Sequence, residues 1–473
     1  MKTLFTFILS LSILFSFSQD SIEKTTFHFQ QTFVDQYHPD FYSKISYLGD
    51  KSLNDKHENT LSSLTTLYMG AKLWKNAEGY FNPEVSGGTG FSGCTGIAGF
   101  PNGTTFRVGS STPTIYIARF FFRQIIPLSK EMTYREPDIN ILGRIVPKER
   151  IIITLGKFSL SDIFDQNVTS HDPMSSLLNW SLMDAGAWDY PSNTRGYTYA
   201  LSVKVVKKKF IFRFCTAVNA LWSNGMVSDN NSIIDIPTPQ NWADAHGEVY
   251  ELIIPLKKDF TNTLKITAFT NHGRMASYDV ATASLLKDTS LSNRAVVGPT
   301  TSLYDGSSHL VSPALDSARG KNQGYISKYG FIINWEMKLK HKNEMIFVRA
   351  SWNDGKRESW MYSEIDESFT FGGFISMNRF KRPNDMIRIG FAINDISKEH
   401  AAYLKAGGYG FIIGDGLGNY PMGLAPEMIM ELQYNFHYSS MTLSPDYQFV
   451  INPAYNPARG PVNIFGLRAH FEF

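Results

Sequence analysis

Apolar and polar side chains alternate with a period of two residues over segments about ten residues long, and this pattern constrains the chain most. At the C-terminus Phe465, Leu467, Ala469, Phe471 and Phe473 fall on one face, and Gly466, Arg468, His470 and Glu472 on the other. Residues 427–438 set Met428, Met430, Leu432, Tyr434, Phe436 and Tyr438 against Glu427, Glu431, Gln433, Asn435 and His437. The same alternation runs through 331–340, 345–354, 385–396 and 197–205. Successive side chains of a strand point to opposite faces, so each segment reads as a strand with one apolar side. Further candidate strands lie near 61–74, 77–85, 112–124, 149–158, 209–218, 247–256, 263–271, 367–379 and 440–451, fifteen in all. Soluble β-sandwiches alternate too. Here, however, the apolar faces end in aromatics (Trp335, Trp352, Tyr434, Tyr438, Phe471), as the interface girdles of a membrane barrel require, and the final strand ends on Phe473. Single-chain bacterial barrels have even strand numbers, so sixteen are expected and one is unaccounted for.

The first residues set the compartment. Met1–Ser18 reads as a secretory signal: Lys2 supplies the positive charge, Leu4–Phe17 the apolar run, and Ser16 and Ser18 the small residues before a cut near Ser18–Gln19. That run is too short to cross ~30 Å of hydrocarbon as a helix, and no later stretch is long and apolar enough either. In lipid every backbone N–H and C=O must be paired internally, which leaves a closed barrel as the membrane option. A chain 43% hydrophobic, 14% aromatic and 19% charged is too apolar for disorder. A formal charge of +2, with no basic stripe, argues against a nucleic-acid partner. The two cysteines, Cys94 and Cys215, exclude a disulfide scaffold and a four-thiolate metal site. They are either one bridge or two buried thiols.

The expected organisation is a signal peptide at 1–18, a polar periplasmic lead-in at 19–60, and an outer-membrane barrel at 61–473. The fold class is all-β, a transmembrane antiparallel β-barrel of sixteen strands with short periplasmic turns and long extracellular loops. Turn dipeptides stand at Asn102-Gly103, Asn224-Gly225, Asp305-Gly306 and Asp354-Gly355. Irregular stretches run through 160–194, 219–245 and 275–322, and 398–405 reads as a short helix.

Alternation also assigns the lumen. Arg349, Arg388, Arg468, Glu336 and Glu431 fall on polar faces. Arg119 and Arg123 share a parity, and an arginine facing lipid at mid-membrane costs ~2–4 kcal/mol. They are therefore expected inside, leaving Tyr116, Ala118, Phe120 and Phe122 to lipid. Arg213 follows the same logic against Phe210, Phe212 and Phe214. Asp162, Asp165, Asn167, His171 and Asp172 are expected in a constriction loop folded into the lumen. The same oxygens also suit Ca²⁺, or Asx turns with no ligand at all. Trp180, Trp188, Tyr190 and Tyr197 read as a stacking track for sugar rings or as loop packing. Enzyme signatures are missing: there is no His-Glu-x-x-His, Gly156-Lys157 lacks the rest of a phosphate loop, and Gly90–Cys94 fails the Gly-x-Ser-x-Gly elbow.

Several segments resemble the carbohydrate-selective porin family of the OprB type. They are GGTGFSGCTGIAGFPNG (87–103) with TPTIYIARFFFRQ (112–124), LGKFSLSDIFDQNVTSHDPMSSLLNW (155–180) with AWDYPSNTRGYTYAL (187–201), FGGFISMNRFKRPNDMIRIGFA (371–392), LSPDYQFVINP (443–453) and the terminal GLRAHFEF. They occur in order from about residue 43 to the end. Met174, after His171-Asp172-Pro173, departs from the arginine expected there. The resemblance implies a sixteen-stranded barrel in the outer membrane of a Gram-negative bacterium that passes mono- or small oligosaccharides by diffusion. Such a pore needs many exchangeable hydrogen bonds, and arginine offers five fixed donors and a flat face. The expected partners are the sugars, outer-membrane lipid and the barrel-insertion machinery that reads Phe473; a homotrimer is one assembly consistent with this. No cofactor or metal is expected. The alternative is a non-transporting outer-membrane or secreted β-protein that binds surface glycan.

Overall fold

The computed structural model describes residues 22–45, 52–107, 112–193, 195–219, 242–243, 245–273, 275–288, 326–339, 344–360, 362–414 and 421–473. The expected signal segment and the turns at Asn224-Gly225 and Asp305-Gly306 lie outside them. Among the described residues sixteen strands close one antiparallel barrel. The first half of the chain contributes β1 (Thr25–His38), β2 (Glu58–Lys72), β3 (Ala77–Gly88), β4 (Thr114–Pro127), β7 (Arg150–Phe158), β8 (Thr198–Val206), β9 (Ile211–Val218) and β10 (His246–Pro255). The second half contributes β11 (Asn262–Gly273), β12 (Ile326–Lys338), β13 (Met345–Asn353), β14 (Glu367–Met377), β15 (Arg382–Asp395), β16 (Glu427–Tyr438), β17 (Met441–Ile451) and β18 (Val462–Glu472). The short strands β5 (Met132–Arg135) and β6 (Arg144–Pro147) form a separate hairpin, and β4 pairs with β7 across it. No helix among the described residues is long and apolar enough to cross a membrane.

The two faces of the strands follow from the alternation. On β12, Phe331 and Ile333 are 42% and 43% exposed on the outside, whereas Ile332 and Asn334 are each 1% exposed on the inside. The fifteen expected strands all enter the barrel, and the sixteenth is β1, inside the segment expected to be a periplasmic lead-in. Its register with β18 (Gln30 opposite Glu472) and with β2 (Gln30 opposite Thr66) closes the sheet. Its pattern is blurred because outward Gln31 and Asp35 serve β2: Gln31 donates to the Leu64 carbonyl at 3.3 Å, and Asn59 donates to Asp35 at 3.0 Å.

One parity assignment is corrected. Pro83 on β3 lacks an N–H, and the ladder opposite it slips: Asn82 faces Arg119 but Pro83 faces Ile117, leaving Ala118 as a bulge. Tyr116 and Ala118 therefore point inward with Arg119, Phe121 and Arg123, while Phe120 and Phe122 stay outside.

Short turns gather at the end of the barrel where β1 starts and β18 finishes, and there Phe29 and Phe473 exchange backbone hydrogen bonds of 3.0 Å. Residues 128–149, which carry β5 and β6, are the long exception at that end. Long connections gather at the other end. They hold α1 (Trp180–Met183), α2 (Tyr278–Lys287) and α3 (Lys398–Lys405); α3 matches the expected helix, and α2 lies in a stretch expected to be irregular. Asn179 caps α1 by accepting from the Ser181 N–H at 3.0 Å, and Ser397 caps α3 by accepting from the His400 N–H at 3.0 Å. Cys94 and Cys215 are two buried free thiols.

Candidate functional site

The connection 159–197 turns back into the barrel instead of standing above it, and the wall strands hold it through its backbone. A buried loop carries orphan N–H and C=O groups that need partners. Carboxylates on the wall take the N–H groups. Glu431 accepts from Leu178 at 2.6 Å and Asn179 at 3.0 Å, Glu336 from Val168 at 2.8 Å, and Glu251 from Asp165 at 3.1 Å. Arginines take the carbonyls. Arg468 donates to Pro173 at 2.8 Å and Ser176 at 2.6 Å, Arg388 to Thr169 at 2.8 Å, and Arg349 to Leu182 at 2.6 Å and Asp184 at 2.8 Å. Arg213 donates to Ile163 and pairs with Glu251 at 2.6 Å, and Lys265 pairs with Glu336.

The connection 89–113 joins this packing. Glu427 accepts from Ala98 at 2.9 Å and Gly99 at 2.8 Å, and Gln36 and Gln448 each donate to Pro101 at 2.8 Å. Gly96 makes its close approach with φ at +83°, where an added Cβ would meet the Leu53 backbone nitrogen at 2.2 Å. A third clamp is Glu364, whose carboxylate accepts from Phe411, Ile412 and Ile413 at 2.8–2.9 Å.

Among the described residues a cavity of about 390 Å³ lies between these loops and β1–β4 and β7. It extends from Arg107, Phe411 and Ile412 on the long connections to Ile139, Asn140 and Ile141 beside the β5–β6 hairpin. Four arginines line it: Arg107, Arg119, Arg123 and Arg195. Each lies against an aromatic face. The distances from guanidinium carbon to ring centre are 5.6 Å for Arg107 over Phe411, 5.0 Å for Arg119 over Tyr197, 5.0 Å for Arg123 over Tyr80 and 3.8 Å for Arg195 over Tyr116. Arg119 also forms a two-point pair with Asp162, at 2.7 and 2.6 Å. Glu84 accepts from Thr66 at 2.7 Å, from Tyr197 at 3.1 Å and from Tyr116. At the hairpin end Arg123 donates to the Asn140 carbonyl at 2.9 Å. Glu78, fully buried, gathers Arg135 at 2.5 Å, Arg144 at 3.1 Å and Arg123 at 3.6 Å.

The expected site residues divide between these two environments. Arg119, Arg123, Asp162, His171 and Asp172 line the cavity. Arg213, Glu336, Arg349, Arg388, Glu431 and Arg468 face inward but are covered by the loop they hold, which corrects their assignment to the open pore. Asp165 is 1% exposed and pairs with Arg349 at 2.9 Å; burial pushes its carboxyl up to about 6 against that guanidinium. Asn167 closes a turn by accepting from the Thr169 N–H at 2.9 Å. Asp172 caps another, accepting from the Met174 N–H at 3.0 Å and from Ser175 Oγ at 2.7 Å. The loop carboxylates thus serve arginines and backbone N–H groups individually and do not converge on a Ca²⁺ position. His171 meets Asp184 at 3.2 Å. Burial works against its charged form, but the hydrogen bond to Asp184 and the charges of Asp184, Asp172 and Asp165 outweigh it and raise its pKa. Trp180, Tyr190 and Tyr197 reach the cavity; Trp188 is buried beside Tyr190, with ring centres 4.8 Å apart. Sequence reasoning missed Arg107, Glu84, Arg195 and Tyr68. Parity on β2 and β3 carries the signal for Tyr68 and Glu84, but nothing local marks the loop arginines.

The family described as carbohydrate-selective porin, OprB family, matches residues 51–473. No curated protein matches by sequence. The high-pH structure of Pseudomonas putida OprB superposes with a TM-score of 0.66 at 13% identity, covering 95% of this chain and 94% of that one. Its low-pH structure gives 0.46 at 10% identity, covering 95% and 93%. The outer-membrane channel DcaP of Acinetobacter baumannii gives 0.47 at 9% identity, covering 95% and 97%.

Proposed function

Because the chain belongs to the carbohydrate-selective porin family of the OprB type, we propose that it passes mono- or small oligosaccharides by diffusion across the outer membrane of a Gram-negative bacterium. The pore of this reading is the off-centre cavity, not the whole lumen. The observation that carries it is the set of four cavity arginines, each laid on an aromatic ring. A ring beneath a guanidinium holds its plane still, so donors not already engaged are presented at little entropic cost. Arg107 spends two on the Phe411 and Gly93 carbonyls and Arg119 two on Asp162. A sugar hydroxyl can exchange one such donor for the next, which suits a solute that must leave as readily as it enters. Asp162 and Glu84 balance the charge and supply acceptors, so both polarities of hydroxyl hydrogen bonding are met. Trp180, Tyr190 and Tyr197 offer flat apolar surface to the C–H face of a ring. Outward Phe, Leu and Ile contact lipid, and Phe473 is the residue offered to the insertion machinery.

Liposome swelling with detergent-folded protein tests this, comparing glucose, a disaccharide and a zwitterionic amino acid of similar size. Sugar entry faster than size alone dictates, and reduced in Arg119→Ala, is the expected result. Equal rates for sugar and amino acid of equal size would remove the sugar preference.

A further inference from the structure

Outside the channel, on the outward face of the sheet at the long-loop end, two histidines and one glutamate meet across neighbouring strands. His246 opens β10 and lies directly opposite His272 on β11, with ring centres 4.7 Å apart. Glu248, two residues on from His246 and on the same face, reaches both rings. Its Oε1 lies 3.3 Å from His246 Nε2 and its Oε2 lies 3.0 Å from His272 Nε2. One ligand atom from each of the three lies within 4.8 Å of the others. Just below, the outward positions turn apolar with Tyr250, Leu252 and Ile266, so the trio stands above the lipid-facing band.

The remaining ring nitrogens are held. His246 Nδ1 donates to the Trp242 carbonyl at 2.7 Å, and the Trp242 ring stacks on the imidazole at 4.1 Å. His272 Nδ1 is 2.7 Å from Ser327 Oγ. Thr270 donates to Glu248 Oε2 at 2.7 Å. With its Nδ1 hydrogen engaged by a carbonyl, a neutral His246 turns the Nε2 lone pair toward a carboxylate oxygen. Two electron pairs facing each other at that distance repel, so a proton or a metal ion stands between them. The arrangement matches a metal site whose histidines are oriented by outer partners.

We propose that His246 Nε2, His272 Nε2 and a Glu248 oxygen bind one transition-metal ion, Zn²⁺ by ligand type. Two imidazoles and a carboxylate suit zinc better than magnesium or calcium. Zinc holds such ligands at about 2.0–2.2 Å. The histidine–carboxylate separations of 3.3 and 3.0 Å run to the two different Glu248 oxygens, and the three ligand atoms lie within 4.8 Å of one another, so small side-chain rotations bring them onto one ion. The fourth position faces outward and takes water or an exchangeable anion. Bound there, the ion staples β10 to β11 at the base of the connections 219–245 and 274–325.

Equilibrium dialysis of the chelator-treated, detergent-folded full chain against Zn²⁺, with bound metal read by elemental analysis, tests the site. Co²⁺ in place of Zn²⁺ reads the geometry from its visible spectrum. One Zn²⁺ per barrel and a tetrahedral Co²⁺ spectrum are expected, both lost in Glu248→Gln and in His272→Ala. Each variant should still give a heat-modifiable band on a gel, which shows that the barrel has closed. Ser327→Ala, which leaves all three ligands in place, should weaken binding ~10–100-fold. Wild-type protein that binds no more Zn²⁺ than the His246→Ala/His272→Ala double variant overturns the proposal, and leaves the trio as a hydrogen-bonded surface cluster. Full retention of Zn²⁺ in Glu248→Gln and His272→Ala overturns it as well.

Discussion

Two walls of one barrel carry the same residue types on the same inward face and use them differently. Along β13, β15, β16 and β18, Arg349, Arg388, Glu431 and Arg468 are sealed under connection 159–197 and spend their hydrogen-bonding groups on its backbone. Along β3 and β4, Glu84, Arg119 and Arg123 face a cavity and lean on aromatic rings. The difference lies in what covers each residue. Rings do not separate the two sets, since Arg349 lies over Phe347 at 5.8 Å and Arg388 over Phe374 at 5.0 Å. What separates them is that the first set is covered by loop backbone and the second borders the cavity.

Breaking the packed wall should have the largest effect. Arg349→Ala leaves Asp165 buried without its cation and frees the carbonyls of Leu182 and Asp184. Removing one member of a buried pair costs about 3–5 kcal/mol. The loop should unseat, seen as higher single-channel conductance with loss of size discrimination, while the barrel still migrates as a folded band. Glu431→Gln should act in the same direction but less, by ~1–3 kcal/mol, because an amide oxygen still accepts from one of the two N–H groups.

The open wall should answer in selectivity. Arg119→Lys keeps the charge but loses the two-point contact with Asp162 and the stack on Tyr197. Swelling rates for disaccharide relative to amino acid should fall several-fold, with thermal stability nearly unchanged. A large loss of stability instead would mean that Arg119 anchors the loop as Arg349 does, and the contrast between the walls would collapse.

The smallest expected effect is on pH. The seated loop holds His171 above its ordinary value of 6.5. A group whose pKa is raised in the ordered state adds stability that is whole below the ordinary value and lost as pH rises through the raised one. Amide exchange across 165–172 should therefore be faster at about pH 8.5 than at about pH 6, after correction for the intrinsic rate. His171→Asn should remove that difference.

Period-two alternation made the barrel readable because lipid outside and water or polar loop inside demand opposite chemistry of neighbouring residues. It failed where a residue serves a neighbouring strand, as outward Gln31 and Asp35 do, and so hid β1. It failed again where Pro83 shifts the register and brings Tyr116 inward with Arg119. The candidate site was half legible. Parity put Arg119 and Arg349 on the same side of the wall, but only the path of connection 159–197 separates their roles. That path is set by contacts between residues such as Leu178 and Glu431, far apart in the chain.

The seam between β1 and β18 has a consequence for assembly. Every other pair of neighbouring barrel strands is joined by a single connection, the longest of them 274–325, so each closes a shorter loop than the seam does. The seam joins the first and last barrel strands, down to the reciprocal bonds of Phe29 and Phe473. Until that last pairing forms, the growing sheet has two open edges, each able to accept a foreign strand. When strands pair in chain order this seam closes last and is the most exposed step, and deletion of Phe473 should then slow the appearance of the heat-modifiable folded band on a gel.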